Sequence, residues 1–442
     1  MTFLTRFAPS PTGYLHVGNI RTALFNFLLS KKNKGKFLLR IDDTDLERSK
    51  QVYEDEIKRD LEWLGIEWDF CERQSTRFDR YYEAFENLKS ENKIYPCYET
   101  KSELDLKRKK QLNMGKPPIY DRTALKLSLE DHKKFEEKGK KAHWRFLLDK
   151  KKICWNDIII GSVSIDLESL SDPVFVKEDG QFLYTLASVC DDIDFSITHV
   201  VRGSDHLTNT ATQIQLIQDL GFDVPIYGHH SLLIDSSGDN LSKRIGSLSI
   251  REIRNSGIEP MALINLMSAI GSSKSPKLLH SLDEIFDFFD ISLFGSAPTK
   301  FDLKLLNSMS AKFLRSTPYH LIESELTNIG VPNSSQKDFW EAIKENLNSR
   351  SEISKLWDLC NNGISPVIDK EDLEFVRTAL AALPETPFNK DTWKIWTTKV
   401  SDKTGRKGKN LFLPLRKALT GNSVGPDMGK LLPFLGKIPK IY

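Results

Sequence analysis

At 442 residues the chain is too long for one ordinary domain, and its length predicts about two to four. With 39% hydrophobic and 28% charged residues it has a globular composition, and no apolar run approaches the roughly 20 residues needed to cross a bilayer, which excludes a helical membrane protein. The 63 basic and 61 acidic residues leave a net charge of +2, so overall charge alone does not point to nucleic acid.

The N-terminal run MTFLTRFAPSPTG has no charged segment followed by a long apolar stretch, so the expectation is a cytoplasmic protein without a signal peptide. Cys71, Cys97, Cys154, Cys190 and Cys360 are scattered, odd in number and form no C-x-x-C pair. Reduced core thiols are therefore expected rather than a disulfide framework or a four-cysteine zinc site.

Residues 2–8 read as a strand, followed by a Pro/Gly turn from Pro9 to Gly13 and an apolar helical pattern over 17–33 (Ile20, Leu24, Phe27, Leu28). A strand at 36–41 and a helix at about 51–64 follow, and strand–helix–strand with short loops predicts a parallel sheet. From about 90 to 175 Lys and Glu increase and apolar runs shorten, as in an insertion. The α/β pattern resumes at 183–189, with a strand at 196–201, a helix at 207–220 and a strand at 226–233. Beyond about 247 nearly everything reads as helix, near 259–271, 302–314, 337–348, 352–361, 371–382 and 410–419. Pro298, Pro318, Pro332, Pro366 and Pro384 punctuate these runs. The predicted fold is a Rossmann-like α/β domain interrupted by an α+β insertion and followed by all-α domains. Basic clusters at Lys107–Lys110, at Lys138, Lys140 and Lys141, and at Lys403, Arg406, Lys407 and Lys409 suit phosphates, although a solvated surface is the more ordinary reading of any one.

Two segments carry chemistry. Arg6-Phe7-Ala8-Pro9-Ser10-Pro11-Thr12-Gly13-Tyr14-Leu15-His16-Val17-Gly18 falls at a strand-to-helix junction, where free N–H groups suit a phosphate. Gly18 allows close approach of a ligand, and His16 can donate to a phosphate oxygen. Asn240-Leu241-Ser242-Lys243-Arg244 follows the last strand in a loop opened by Ser236-Ser237-Gly238. Adjacent cations there suit the charge that develops on a polyphosphate. Taken alone, the first segment reads as well as a structural loop, and the second reads more readily as an ordinary surface loop.

Together, the Pro-Ser-Pro-Thr-Gly turn leading into His16-Val17-Gly18, with Ser242-Lys243-Arg244 following far downstream, resembles the HIGH and KMSKS signatures of class I aminoacyl-tRNA synthetases. Arg40 through Asp45, Tyr184-Thr185-Leu186-Ala187, Asp191-Asp192 and Val200 through His206 resemble the glutamyl-tRNA synthetase family in order and spacing. Gly405 through Gly421 resembles that family's distal anticodon-binding domain, so the resemblance spans the chain. It implies ATP-dependent ligation of L-glutamate to the 3′ end of tRNA through a glutamyl-adenylate, with Mg²⁺ arriving on ATP. It also implies a monomer, and activation that waits for tRNA.

The resemblance implies roles for residues. His16 and Lys243 would be catalytic, meeting the phosphates with Gly18, Asn19, Ser242 and Arg244. Arg6 and Arg202, planar forks suited to a carboxylate, would hold the substrate's side chain with Tyr184, beside Ala8 and Ser10. Asp42 would meet the ammonium. Arg48 is a candidate at the pocket rim and for tRNA. Ser349 or Arg350 falls near the position that reads the third anticodon base, leaving open tRNA for glutamate alone, for both glutamate and glutamine, or for glutamine. The implied domains are a catalytic first half at 1–88, an acceptor-binding insertion at 89–178, a catalytic second half at 179–246, a stem-contact domain at 247–305 and an anticodon-binding region at 306–442.

Three departures stand out. Asp42 replaces the family's usual Glu, and Asn240 replaces a Lys in the loop signature. Where some relatives hold zinc with a C-x-C pair, this chain has Cys97 with Glu99, so no zinc is expected. Three alternative readings are compatible with parts of this pattern. A tRNA-modifying glutamyl transferase lacks the long helical C-terminus, and glutaminyl-tRNA synthetase has a β-rich anticodon region. A catalytically silent tRNA-binding paralogue would explain Asp42 and Asn240 but not the retention of Arg6, His16, Arg202 and Lys243.

Overall fold

The computed structural model describes residues 2–235, 237–238 and 249–438. The chain forms two compact units, one of residues 1–254 and 264–302, the other of residues 255–263 and 303–442.

The first unit begins with β1 (Leu4–Phe7), α1 (Val17–Lys32), β2 (Lys36–Ile41), α2 (Gln51–Trp63), β3 (Phe70–Arg73) and α3 (Phe78–Ser90). β2 pairs in parallel with both β1 and β3. β1 is buried along its whole length, as expected for a parallel strand covered on both faces. α1 is buried on most of its surface and places Lys31 and Lys32 in its last turn, where cations complement the helix dipole.

An α+β insertion follows: β4 (Ile94–Cys97), α4 (Lys101–Asn113), α5 (Leu129–Glu137), β5 (His143–Phe146), β6 (Lys152–Asp157), β7 (Gly161–Asp166) and β8 (Val174–Val176). β4, β5 and β8 form an antiparallel sheet, and β6–β7 is a hairpin.

The parallel layer resumes through α6 (Tyr184–Asp194), β9 (His199–Gly203), α7 (Leu207–Asp219) and β10 (Ile226–His230). β9 lies beside β1, tied by the Thr198 N–H donating to the Leu4 carbonyl at 3.0 Å. Further along, the Asn26 side chain on α1 takes the place of a missing strand partner. Its Nδ2 donates to the Val201 carbonyl at 2.7 Å and its Oδ1 accepts from the Val201 N–H at 3.3 Å. The order β3-β2-β1-β9-β10 puts a topological switch between β1 and β9, where ligands of open α/β sheets sit at the carboxyl ends of strands.

Two expected strands differ in extent. The one expected at 196–201 starts at His199 because Ser196 adopts a left-handed turn (φ 55°) after α6. The one expected at 226–233 divides into β10 and β11 (Leu233–Ile234). After α8 (Ile250–Asn255), α9 (Pro260–Met267) and α10 (Leu282–Phe288), a two-residue strand, β12 (Thr299–Lys300), pairs in parallel with β11, so the region after 247 is not wholly helical.

The second unit is built from helices α11 (Leu303–Ser316), α12 (Glu323–Asn328), α13 (Gln336–Ile343), α14 (Ser351–Asn362), α15 (Leu373–Leu380), α16 (Thr392–Thr404), α17 (Lys409–Thr420) and α18 (Met428–Leu431). Its core centres on Phe339, Trp340 and Trp396. Both indole N–H groups are satisfied by carbonyls, Trp340 at Thr317 (3.1 Å) and Trp396 at Ala379 (2.8 Å), so burying them leaves no donor orphaned.

Candidate active site

A cavity of about 530 Å³ opens at the switch point, at the carboxyl ends of β1, β2, β9 and β10 and the start of α1. Arg6, Ala8, Ser10, His16, Gly18, Asn19, Asp42, Tyr184 and Arg202, nine residues expected at the site, all line it. Asn240, Ser242, Lys243 and Arg244 lie outside the described residues. The chain returns from that segment at Ser249, which forms an antiparallel bridge with His16.

His16 ends the entry loop and caps α1. Its Nδ1 accepts the Gly18 N–H at 3.0 Å, while its own N–H donates to Asn19 Oδ1 at 3.1 Å. With Nδ1 accepting, the ring proton resides on Nε2, so the neutral ring remains a donor. Burial lowers its pKa, with Asp205 partly opposing. Gly18 lines the cavity and also accommodates its neighbour. A Cβ there would stand 2.8 Å from His16 Cε1 and 2.9 Å from Nδ1, so glycine makes room for the capping ring.

Arg6 leaves β1 and grips Asp192 with one edge, Nε to Oδ1 at 3.1 Å and Nη2 to Oδ2 at 3.3 Å. Arg202 leaves β9. Its Nη1 donates to the Tyr184 hydroxyl at 2.9 Å, and its Nη2 donates to Thr210 Oγ1 and Gln213 Oε1, each at 2.6 Å. Its buried Nε has no hydrogen-bond partner among the described residues, a donor suited to a carboxylate oxygen. Helical spacing brings Tyr184, Ser188, Asp191 and Asp192 to one side of α6.

Asp42 is held by a residue that the motif reading assigned no role. Arg40, two positions earlier on β2, donates from Nε to Asp42 Oδ1 at 2.7 Å and from Nη2 to Oδ2 at 3.1 Å. Burial pushes the Asp42 carboxyl up to about 6 although Arg40 opposes the rise. Burial would also raise Asp192, yet Arg6 and Arg40 hold it below the usual carboxylate range. His206 and His230 also line the cavity and were missed. Burial lowers them to about 4 and about 3, so both stay neutral.

Other expected residues lie elsewhere. Arg48 is not among the residues lining the cavity. It is exposed and pairs with Asp45 at 2.7 Å. In the helical unit Arg350 is committed to Glu259 (2.8 and 3.0 Å) and Glu325 (2.6 Å), and the Ser349 hydroxyl sits 3.0 Å from that of Ser351.

In the insertion, a Cys97 sulfur, a Glu99 oxygen and a His143 ring nitrogen lie within 4.8 Å of one another. His143 is the member that sequence spacing did not find, contributed by β5 opposite Cys97 on β4. Burial pushes the Cys97 thiol up to about 11, keeping it protonated, although Tyr120 and Arg145 oppose this. Lys107 reaches Glu99 at 3.3 Å, Tyr120 donates to Glu99 at 2.8 Å, and Arg145 stacks on the Tyr120 ring. Lys107 at Glu99 sets a cation against this cluster, and among the described residues it offers three donors rather than the four of a closed structural zinc site.

A parallel sheet whose switch point joins a capped helix start to two arginines and an aspartate has the catalytic layout of a class I tRNA synthetase. The model for the catalytic domain of class I tRNA synthetases (E and Q) matches residues 2–308, and one for an anticodon binding domain matches residues 337–438. Glutamate–tRNA ligase 2 of Ruegeria sp. (strain TM1040) is 54% identical over 98% of both chains, and glutamate–tRNA ligase 1 of Roseobacter denitrificans is 53% identical over the same share. A crystal structure of a glutamate tRNA ligase from Elizabethkingia meningosepticum in complex with its amino acid superposes with a TM-score of 0.83 at 28% identity, over 99% of this chain and 97% of that one. The chain belongs to the glutamate–tRNA ligase family of class I tRNA synthetases.

Proposed function

We propose that the chain ligates L-glutamate to the 3′ end of tRNA, with ATP as the activating substrate. The observation that carries this is the convergence of nine motif residues on one cavity, with two guanidinium groups, a hydroxyl and a carboxylate at one end and a helix start at the other. The relatives' names speak for glutamate and give a glutamine-tRNA role no support. Among the described residues no helix is long and apolar enough to cross a membrane. The reaction's substrates imply a cytoplasmic enzyme, which we take to act as a monomer.

Arg6, Arg202 and Tyr184 would receive the side-chain carboxylate, with Ala8 and Ser10 shaping the wall. Glutamine cannot satisfy guanidinium donors as a carboxylate does, and leaving them unpaired disfavours it. Asp42 would face the ammonium. The glutamate α-carboxylate then attacks the α-phosphorus of ATP, and the bond to pyrophosphate breaks. The terminal adenosine hydroxyl of tRNA attacks the adenylate carbonyl, and AMP leaves. The nucleophile of the first step is already an anion, so positioning and charge stabilisation dominate. His16 Nε2, Gly18 and Asn19 would meet the phosphates. Lys243, Ser242 and Arg244, which lie outside the described residues, would carry charge for the same phosphates. Mg²⁺ would enter bound to ATP oxygens and water.

ATP–pyrophosphate exchange with glutamate and total tRNA tests the assignment. Exchange with glutamate and background exchange with glutamine are expected. Background exchange with both would leave a tRNA-binding paralogue as the better reading.

A further inference from the structure

The buried arginine behind the cavity is where the geometry says more than the family resemblance does. Arg40 is fully buried and does not line the cavity, so it touches no substrate. Its guanidinium is nevertheless the most densely engaged near the site. Nε and Nη2 hold both oxygens of Asp42. Nη1 donates to Asp192 Oδ1 at 2.8 Å, and Nη2 also donates to Ser188 Oγ at 3.1 Å. Asp192 is the same carboxylate that Arg6 grips. A continuous buried chain, Arg6–Asp192–Arg40–Asp42, therefore links the two ends of the amino-acid pocket.

We infer that Arg40 is the positioning residue of this site: it aims Asp42 at the substrate ammonium and, through Asp192, fixes the side of Arg6 that faces away from the substrate. This rests on the amino-acid pocket being the one described above. An aspartate reaches one methylene less far than a glutamate, so its carboxylate has less freedom to find a ligand. A two-point hold from the same strand supplies the orientation that length does not.

The charges around Asp42 support the assignment. Arg40 on β2 and Arg6 on β1 favour its ionised form, while Asp191 on α6 opposes it. Asp192 on α6 bonds both arginines. Asp191 is itself held by Arg77 at 2.8 Å, by Gln74 at 2.8 Å and by the Tyr81 hydroxyl of α3 at 3.0 Å. Arg40 is thus the cation in direct contact with Asp42. Without it, a buried carboxyl already raised to about 6 would rise further and be neutral at working pH.

The experiment compares Arg40→Gln, Arg40→Lys and Ser188→Ala with the unaltered full chain in ATP–pyrophosphate exchange with total tRNA present. KM for glutamate and for ATP is measured from about pH 5.5 to 8.5, and thermal melting is recorded alongside. For Arg40→Gln, KM for glutamate should rise about tenfold or more at pH 7.5, and the acid limb of the glutamate profile should move up by about one to three pH units. KM for ATP should stay within about twofold. Arg40→Lys restores charge without the two-point hold, so its acid limb should return towards that of the unaltered chain while KM stays elevated. Ser188→Ala keeps the ion pairs and serves as the folding-tolerant variant, with a rise of about two- to fivefold in glutamate KM and an unmoved limb. A merely structural Arg40 would lower the fraction of active enzyme without moving KM or the limb, and that result overturns the inference. Failure of the unaltered chain to exchange with glutamate would instead sink the assigned function, which keeps the two failures distinct.

Discussion

Replacing Gly18 with alanine should damage catalysis far more than stability. The new Cβ would stand 2.8 and 2.9 Å from two atoms of the His16 ring, so the ring must swing out of its capping position. Losing a helix cap costs about 1 kcal/mol, and alanine within a helix recovers roughly 0.5–1 kcal/mol over glycine. The net change in folding stability is therefore within about 1 kcal/mol of zero. The His16 Nε2 donor, however, moves by an ångström or more, and misplacement on that scale costs about 100-fold in rate. The assay is single-turnover adenylate formation, with tRNA present, for Gly18→Ala, His16→Ala and the double variant. Each single variant should lose about 100-fold, and the double variant should be little worse than His16→Ala, because Gly18 acts through that ring. A Gly18→Ala enzyme with the unaltered rate, or losses that multiply in the double variant, would refute this reasoning.

Arg350→Ala should destabilise the helical unit by about 1–2 kcal/mol, because it takes from the buried Glu259 its two-point partner while leaving it near solvent through the half-exposed arginine's place; chemical denaturation reads this, and no loss would show that the pair is idle. His230 sets a pH dependence: its native pKa is about 3 against 6.5 when unfolded. Its contribution to stability is thus complete above about pH 6.5 and falls by up to about 1.4 kcal/mol per pH unit as pH drops towards 3, and His230→Gln should flatten that slope in denaturation curves. Elemental analysis of protein purified without chelator should find zinc well below one equivalent, and dialysis against a chelator should leave the melting temperature unchanged. A stoichiometric metal lost together with the fold would mean that Cys97, Glu99 and His143 bind after all.

The parallel core was legible because its strands and helices are long enough for apolar periodicity to show, as in 17–33 and 36–41, which the structure realises as α1 and β2 within a residue. β12 was not, since two residues carry no period, and its pairing with β11 depends on a partner 66 positions away in sequence (Thr299 against Leu233). Arg6, Asp42, Tyr184 and Arg202 were found by motif. What holds them was not. Arg40 carried a local signal, since residues two apart on a strand share a face. Asp192 lay within a motif, but its role did not show, because its contact with Arg40 spans 152 positions and exists only once α6 packs behind the sheet. His16 concealed its structural role because histidine is an unusual helix cap, and only the ring geometry displays it.

Which end of the cavity receives which part of the substrate is read directly by a crystal structure with a non-hydrolysable glutamyl-adenylate analogue. The side-chain carboxylate should lie at hydrogen-bonding distance from Arg6 and Arg202, with the ammonium towards Asp42 and the phosphate by His16 at the start of α1. An analogue seated in the reverse sense, or outside this cavity, would contradict this assignment.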